Sequence, residues 1–246
     1  LLSPADMELT AGDPSERRRF IDQIGSQRDA RYLDALMRYN AALEGRNRLL
    51  RDGATDEGLY DALEIQLEMA ADYIVAGRRR NIADLQELFT PYYNAVAGGD
   101  EAARLDYEPA EYPEGLAAHL AANRRRDLAL RHTASGPHRH DLTFSVDGLP
   151  VRRTASQGQA KTFSTAQYEL LRRALGIRPL LLLDDIFDKL DAGRVERIVR
   201  LVGQTESFGQ IFITDTNRRH LDETVAAIGQ GDYRLWNVER GTFTLL

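Results

Sequence analysis

The chain contains no cysteine, which excludes disulfides and thiolate-held metals and suits a reducing compartment. Lysine is nearly missing too: of 32 basic residues only Lys161 and Lys189 are lysines, and the rest are arginines. A phosphate-binding P-loop needs Gly-Lys followed by Ser or Thr, and here the lysines follow Ala160 and Asp188. These residues therefore hold no such loop. No apolar run approaches the length of a membrane span, and the first residues do not read as a secretory leader. Internal repeats and low-complexity segments are also absent. A soluble, cytoplasmic protein without a membrane partner is expected, with 246 residues enough for a substantial core. The net charge of −6 gives no general attraction to nucleic acid, so any DNA contact must come from local patches. Arginine triplets stand at Arg17 to Arg19, Arg78 to Arg80 and Arg124 to Arg126. Arg78, Arg79, Arg80, Arg124, Arg125 and Arg126 are the candidate DNA-binding residues, although solvated helix faces or pairing with carboxylates explain such runs as well.

What is present is organised around Pro179-Leu180-Leu181-Leu182-Leu183-Asp184-Asp185. Four leucines after a proline, ending in two carboxylates, predict a strand buried on both faces of a parallel sheet. Ligands bind at the C-terminal tips of such strands. An aspartate there can hold Mg²⁺ through water while a second acidic residue orients or deprotonates an attacking water. Asp184 is the candidate metal residue and Asp185 the candidate base. The plainer alternative is a buried strand whose acidic end caps the helix beginning near Asp191. Upstream, Ser156-Gln157-Gly158-Gln159 opens a helical segment that runs to Leu175 and stops at Gly176. A hydroxyl and unpaired backbone N–H groups at a helix N-terminus are the parts of an anion site, and equally of an ordinary cap.

In this order the two stretches resemble the signature motif, Walker B motif and D-loop of ABC-type ATPases. Within that class, Ser156 to Gln159 with Leu183 to Asp191 resembles the RecF family of DNA replication and repair proteins. So do Ser3-Pro4-Ala5-Asp6 to Arg17-Arg18-Arg19-Phe20, Gly136-Pro137-His138-Arg139 and Gln210-Ile211-Phe212-Ile213-Thr214. The resemblance implies an α/β fold: the C-terminal part of an ABC-type P-loop ATPase head with an inserted helical arm. It also implies a P-loop upstream of Ser3, so a chain truncated at its N-terminus and inactive alone is expected. ATP and Mg²⁺ are the implied cofactors. Ser156, Gln157, Gly158 and Gln159 would contact the γ-phosphate held by the opposite subunit of an ATP-sandwiched homodimer, with Asp191 acting across the interface. DNA at single-strand/double-strand junctions or gaps, and recombination mediator proteins that help load recombinase, are the implied partners.

Three positions depart from the pattern. Asp215 and Thr216 stand where transporter-like relatives carry a switch histidine. His140 occupies the place of a usual aspartate, and Ala160 that of a polar residue. His138 and His140 have the wrong neighbours for a metal site, so a surface or hydrogen-bonded role is expected for them. Other readings are a non-hydrolysing dimerisation or DNA-binding fragment, another SMC-like head, or a transporter ATPase.

The expected organisation is a lobe remnant over 1–25, a helical arm over 26–130 and an ATPase lobe over 131–246. Leu33, Leu36, Asn40, Leu43, Asn47 and Leu50 recur at spacings of three and four, as in a coiled-coil seam or a self-packed helical hairpin. After a turn at residues 51–56, Leu59, Leu63, Leu67, Ala70 and Ile74 predict a second helix ending before Pro91, with a break at Gly77. Residues 98–115 read as a loop with a short strand at Ala103 to Tyr107, and Leu116 to Leu130 as one helix. Leu142 to Val146, Asp147-Gly148 and Val151 to Thr154 predict a hairpin. Helices over 192–202 and 218–228, a buried strand at Gln210 to Thr214 and a closing hairpin around Glu239-Arg240-Gly241 complete the reading.

Overall fold

The computed structural model describes residues 13–97, 102–150, 175–176, 178, 180–184, 197, 200, 209–219, 221–222 and 233–246. Asp13 caps helix α1 (Pro14–Arg28), its carboxylate accepting from Ser15 N at 2.8 Å, while Pro14 occupies a position that needs no N–H. Asp29 is extended backbone; it closes α1 and caps α2 (Ala30–Asp52) by accepting from Arg31 N at 2.9 Å. Gly53 ends α2 at φ 64°, the left-handed geometry that glycine adopts without a Cβ penalty. Asp56 then caps α3 (Glu57–Ala97), its carboxylate accepting from Leu59 N at 3.2 Å. So short a link folds α3 back along α2 as an antiparallel pair.

The buried face of α2 keeps one side of the predicted seam, Leu50 being buried and Leu36 and Leu43 packing on the core, but not the other. That face is Tyr32, Ala35, Tyr39, Ala42, Arg46 and Leu50, whereas Leu33 is 43% exposed and Asn40 faces solvent. The Leu33 and Asn40 side gives way to two tyrosine rings that fill the gap between helices. Tyr32 shows why: its ring lies between Gly25 of α1 and Gly77 of α3, where an added Cβ would meet it at 2.6 and 2.5 Å. Gly77 is thus a seat for a ring inside a continuous helix, and the expected break does not occur. Nor does Pro91 end α3, which runs to Ala97. Proline forfeits one internal hydrogen bond, and buried Leu88, Phe89 and Tyr93 hold the helix on both sides of it. Leu59, predicted on the apolar stripe, is half exposed.

Strand β1 (Ala103–Tyr107) pairs antiparallel with β2 (Leu142–Val146), which turns through Asp147 and Gly148 into β3 (Leu149–Pro150). Both turn residues have positive φ, as a two-residue hairpin of the primed type requires. The predicted return strand over 151–154 lies outside the described residues. One face of β1–β2 covers a core made with α1 and the second half of α3, including Phe20, Ile24, Leu85, Phe89, Leu105 and Phe144. α1 and β2, from sequence segments taken as separate units, therefore share one core. The expected helix over 116–130 divides at Asn123 into α4 (Leu116–Ala122) and α5 (Arg124–Leu130). Leu116 and Leu120 of α4 join Tyr39, Leu67 and Ile74 in a second core.

Between α2, α3 and α5 a charge is buried outright. Arg46 donates to Glu64 at 3.0 Å, Asp127 at 2.7 Å, Thr133 Oγ1 at 2.9 Å and Leu120 O at 3.3 Å. Guanidinium and both carboxylates are withdrawn from water, which is tolerable only because each is paired.

Further along, β4 (Leu180–Asp184) pairs in parallel with β5 (Gln210–Thr214), and β6 (Trp236–Glu239) forms an antiparallel hairpin with β7 (Thr242–Leu245). The β4 reading needs correction. Leu181 and Leu183 are buried, but Leu180 and Leu182 are 48% and 37% exposed, and Phe212 of β5 opens to the same face. Among the described residues the leucines therefore alternate in and out, as in a half-buried strand. Of the helices predicted over 156–175, 192–202 and 218–228, residues 175, 197, 200, 218–219 and 221–222 are described, and all are helical. The remaining positions lie outside the described residues. No described helix is long and apolar enough to cross a membrane.

Candidate nucleotide site

Parallel pairing places the last residues of β4 and β5 side by side: Asp184 and Thr214 are register partners at the C-terminal edge. Thr214 Oγ1 donates a hydrogen bond to Asp184 Oδ1. Asp184 itself is exposed. Just beyond β5 the chain turns on two side chains: Asp215 Oδ1 accepts from Asn217 N, and Asn217 Oδ1 accepts from Arg219 N at 3.1 Å. Thr216 lies in that turn. The structure thus brings Asp184 to the same strand edge as the predicted switch positions Asp215 and Thr216. Asp185, Asp191 and Ser156, Gln157, Gly158 and Gln159 lie outside the described residues.

The donor chemistry at this edge suits Mg²⁺. A carboxylate is a hard oxygen ligand, and its exposure leaves room for the waters that Mg²⁺ retains. Among the described residues no group of three His, Asp or Glu side chains could enclose a metal. Thr214 was missed in the sequence reading, where it was only the last residue of a strand. The signal was a hydroxyl at the tip of a strand that could pair with β4.

Each arginine triplet is split by the 100° step of the helix. Arg78 is 3% exposed and forks onto Asp22 at 2.9 and 2.8 Å while donating to Pro137 O at 2.8 Å. Burial works against its charge, but the Asp22 carboxylate outweighs this and holds its pKa above the ordinary value. Arg124 is likewise held charged by its hydrogen bonds to Glu64 and then Asp61. Neither guanidinium is presented to a phosphate backbone, which corrects their assignment to a DNA face. Arg79, Arg80, Arg125 and Arg126 are exposed. Arg80 lies 4.0 Å from Asp29. In the first triplet, Arg17 forks onto Asp141 at 2.7 and 2.9 Å and Arg18 donates to His140 O at 3.0 Å.

Those last contacts pin the segment over 133–141, whose histidines are hydrogen-bonded as expected. His138 Nδ1 lies 2.7 Å from Tyr39 Oη and its Nε2 lies 3.0 Å from Thr133 O. His140 Nδ1 lies 2.8 Å from Tyr107 Oη. Burial pushes both imidazoles down to about 4, so they are neutral spacers at neutral pH. Gly136, at φ 125°, lets the chain pass beneath Tyr39, whose hydroxyl an added Cβ would meet at 2.5 Å.

No protein-family model matches the chain. Solved structures share its fold. A structure of the recombination mediator protein RecF-ATPrS in the RecFOR pathway superposes with a TM-score of 0.79 at 24% identity, covering 100% of this chain and 67% of that one. The Smc head domain with an extended coiled coil from Pyrococcus furiosus, bound to the C-terminal domain of ScpA, gives 0.50 at 17% identity, covering 98% and 59%. The chain thus shares the fold of a RecF protein and of an Smc head domain. Sequence narrows this further: the DNA replication and repair protein RecF of Parabacteroides distasonis is 46% identical over 245 residues, 98% of this chain and 67% of that relative. The chain belongs to the RecF family, and spans about two thirds of the relative's length.

Proposed function

We propose that this chain is the signature and Walker B part of a RecF-type DNA repair ATPase that binds ATP with Mg²⁺ between two protomers. The observation that carries the reading is the Asp184–Thr214 pair at the parallel strand tips, in a chain 46% identical to a RecF protein. Asp184 would hold the ion through water, and Asp185, next in sequence, would orient the attacking water. Bound Mg²⁺ would offset charge developing on the phosphates. Ser156 to Gln159 would address the γ-phosphate of the facing protomer, and Asp191 would act across the interface. The ATP-bound dimer would hold DNA at single-strand/double-strand junctions or gaps and, with mediator proteins, promote recombinase loading. Arg79, Arg80, Arg125 and Arg126 are the basic side chains of the two later triplets that can reach a phosphate backbone.

The test uses the natural full-length product. Asp185→Asn lowers ATP turnover by a factor of about 100 or more while nucleotide is still bound; unchanged turnover removes the assignment. Ser156→Arg abolishes ATP-driven dimerisation in light scattering without changing the circular dichroism spectrum. Removing Arg79 and Arg80 together weakens DNA binding and flattens the slope of log K against log salt by about 2.

A further inference from the structure

We propose that Thr214 is a positioning residue for Asp184, fixing the carboxylate that addresses the nucleotide's Mg²⁺; this rests on the metal role proposed above for Asp184. An aspartate at an exposed strand tip can turn about two side-chain torsions, and only some orientations present an oxygen to a metal. Two features of β5 remove that freedom. Its register sets Thr214 directly beside Asp184 at the final pair of the ladder, where register partners project to the same face. Thr214 Oγ1 then donates to Asp184 Oδ1, so Oδ1 is held and Oδ2 is the oxygen not bonded to Thr214. Threonine suits the task. Its β-branch is favourable in a strand and stiffens χ1, so the hydroxyl is aimed before any metal arrives.

The neighbouring polar groups do different work. Asp215 turns its carboxylate to the backbone N–H of Asn217, and Asn217 turns its amide oxygen to that of Arg219. Both side chains shape the turn after β5. The contact to the β4 carboxylate therefore comes from the end of β5 itself, one residue before the positions that the family pattern assigns to a switch. Groups that orient a metal ligand typically change metal affinity 10- to 100-fold when removed.

The experiment titrates Mn²⁺, read by electron paramagnetic resonance, into full-length protein saturated with a non-hydrolysable ATP analogue. Thr214→Val raises the Mn²⁺ concentration at half-saturation about tenfold, and Thr214→Ser, which keeps the hydroxyl, restores the wild-type midpoint. The metal-free melting temperature of Thr214→Ser matches wild type. A wild-type midpoint in Thr214→Val, with Mn²⁺ binding lost in Asp184→Asn, overturns the positioning role and leaves the metal role of Asp184 standing. Wild-type Mn²⁺ binding in Asp184→Asn overturns both. If Thr214→Val does not fold, Thr214→Ala is compared with Thr214→Ser, and equal midpoints overturn the proposal.

Discussion

From α1 to β3 even charged groups are withdrawn from water: Arg46, Glu64, Arg78 and Asp127 are buried alongside Tyr32, Leu67, Ile74 and Phe89. Among the described residues from β4 to β7, Leu181 and Leu183 are buried but many apolar side chains are open to solvent. Leu180, Phe212, Trp236, Val238, Phe243 and Leu245 all show large fractions of their apolar surface to solvent, and on the β6–β7 hairpin the last four form two register pairs on one face. The first region closes two cores and ties its elements together with buried ion pairs. The described strands of the second carry the proposed metal residue Asp184 at an exposed tip. An exposed strand tip and a closed core suit different tasks, because sites need access and cores exclude it.

The contrast can be broken most severely at Arg46. Arg46→Met leaves Glu64 and Asp127 short of their central partner and lowers unfolding free energy by about 3–5 kcal/mol in urea denaturation; a loss below about 1 kcal/mol would show that water replaces the guanidinium. Next is the ring seat. Gly77→Ala drives a methyl into Tyr32 and costs about 2 kcal/mol net of the better helix propensity of alanine, read as a lower thermal midpoint. A gain in stability would mean that the ring moves freely.

Acid sharpens the contrast more gently. His138 and His140 have pKa values near 4 in the fold because of burial, against 6.5 for the ordinary imidazole. Above about pH 6.5 neither state takes up a proton and their contribution is complete. As pH falls from there toward 4 the unfolded chain is protonated first, so stability declines by about 1 kcal/mol per pH unit for a buried histidine. His138→Gln flattens that decline in denaturation curves measured from pH 7 to 4.5, and an unchanged slope would count against the buried neutral histidine. The smallest effect belongs to the strands: Phe243→Ser, at a side chain 66% exposed, changes stability by less than about 0.5 kcal/mol. A loss several times larger would show that the hairpin face is covered in solution.

Much of the fold was legible because its signals are local. The turn at residues 51–56, the β1 and β2 runs, the Asp147-Gly148 turn and the Leu-rich β4 strand each depend on residues a few positions apart, and the structure has them all. The strand-tip aspartate was legible for the same reason, since a hydrophobic run ending in acid is a contiguous pattern. What the sequence left open is set by partners far away along the chain. Arg78 is buried because Asp22, 56 residues earlier, accepts its fork, and Arg46 because Asp127 lies 81 residues on. Arg17 meets Asp141 across 124 residues. In a triplet each arginine has the same composition of neighbours, so only helix rotation in the packed fold selects which one turns inward. The Leu33 and Asn40 side of the predicted α2 seam gave way to Tyr32, whose ring finds its seats at Gly25 and Gly77 only when three helices meet. Thr214 acquired its partner only when β5 paired beside β4. Local chemistry determined the elements and the acidic tip; long-range packing decided which charges are structural and which remain exposed.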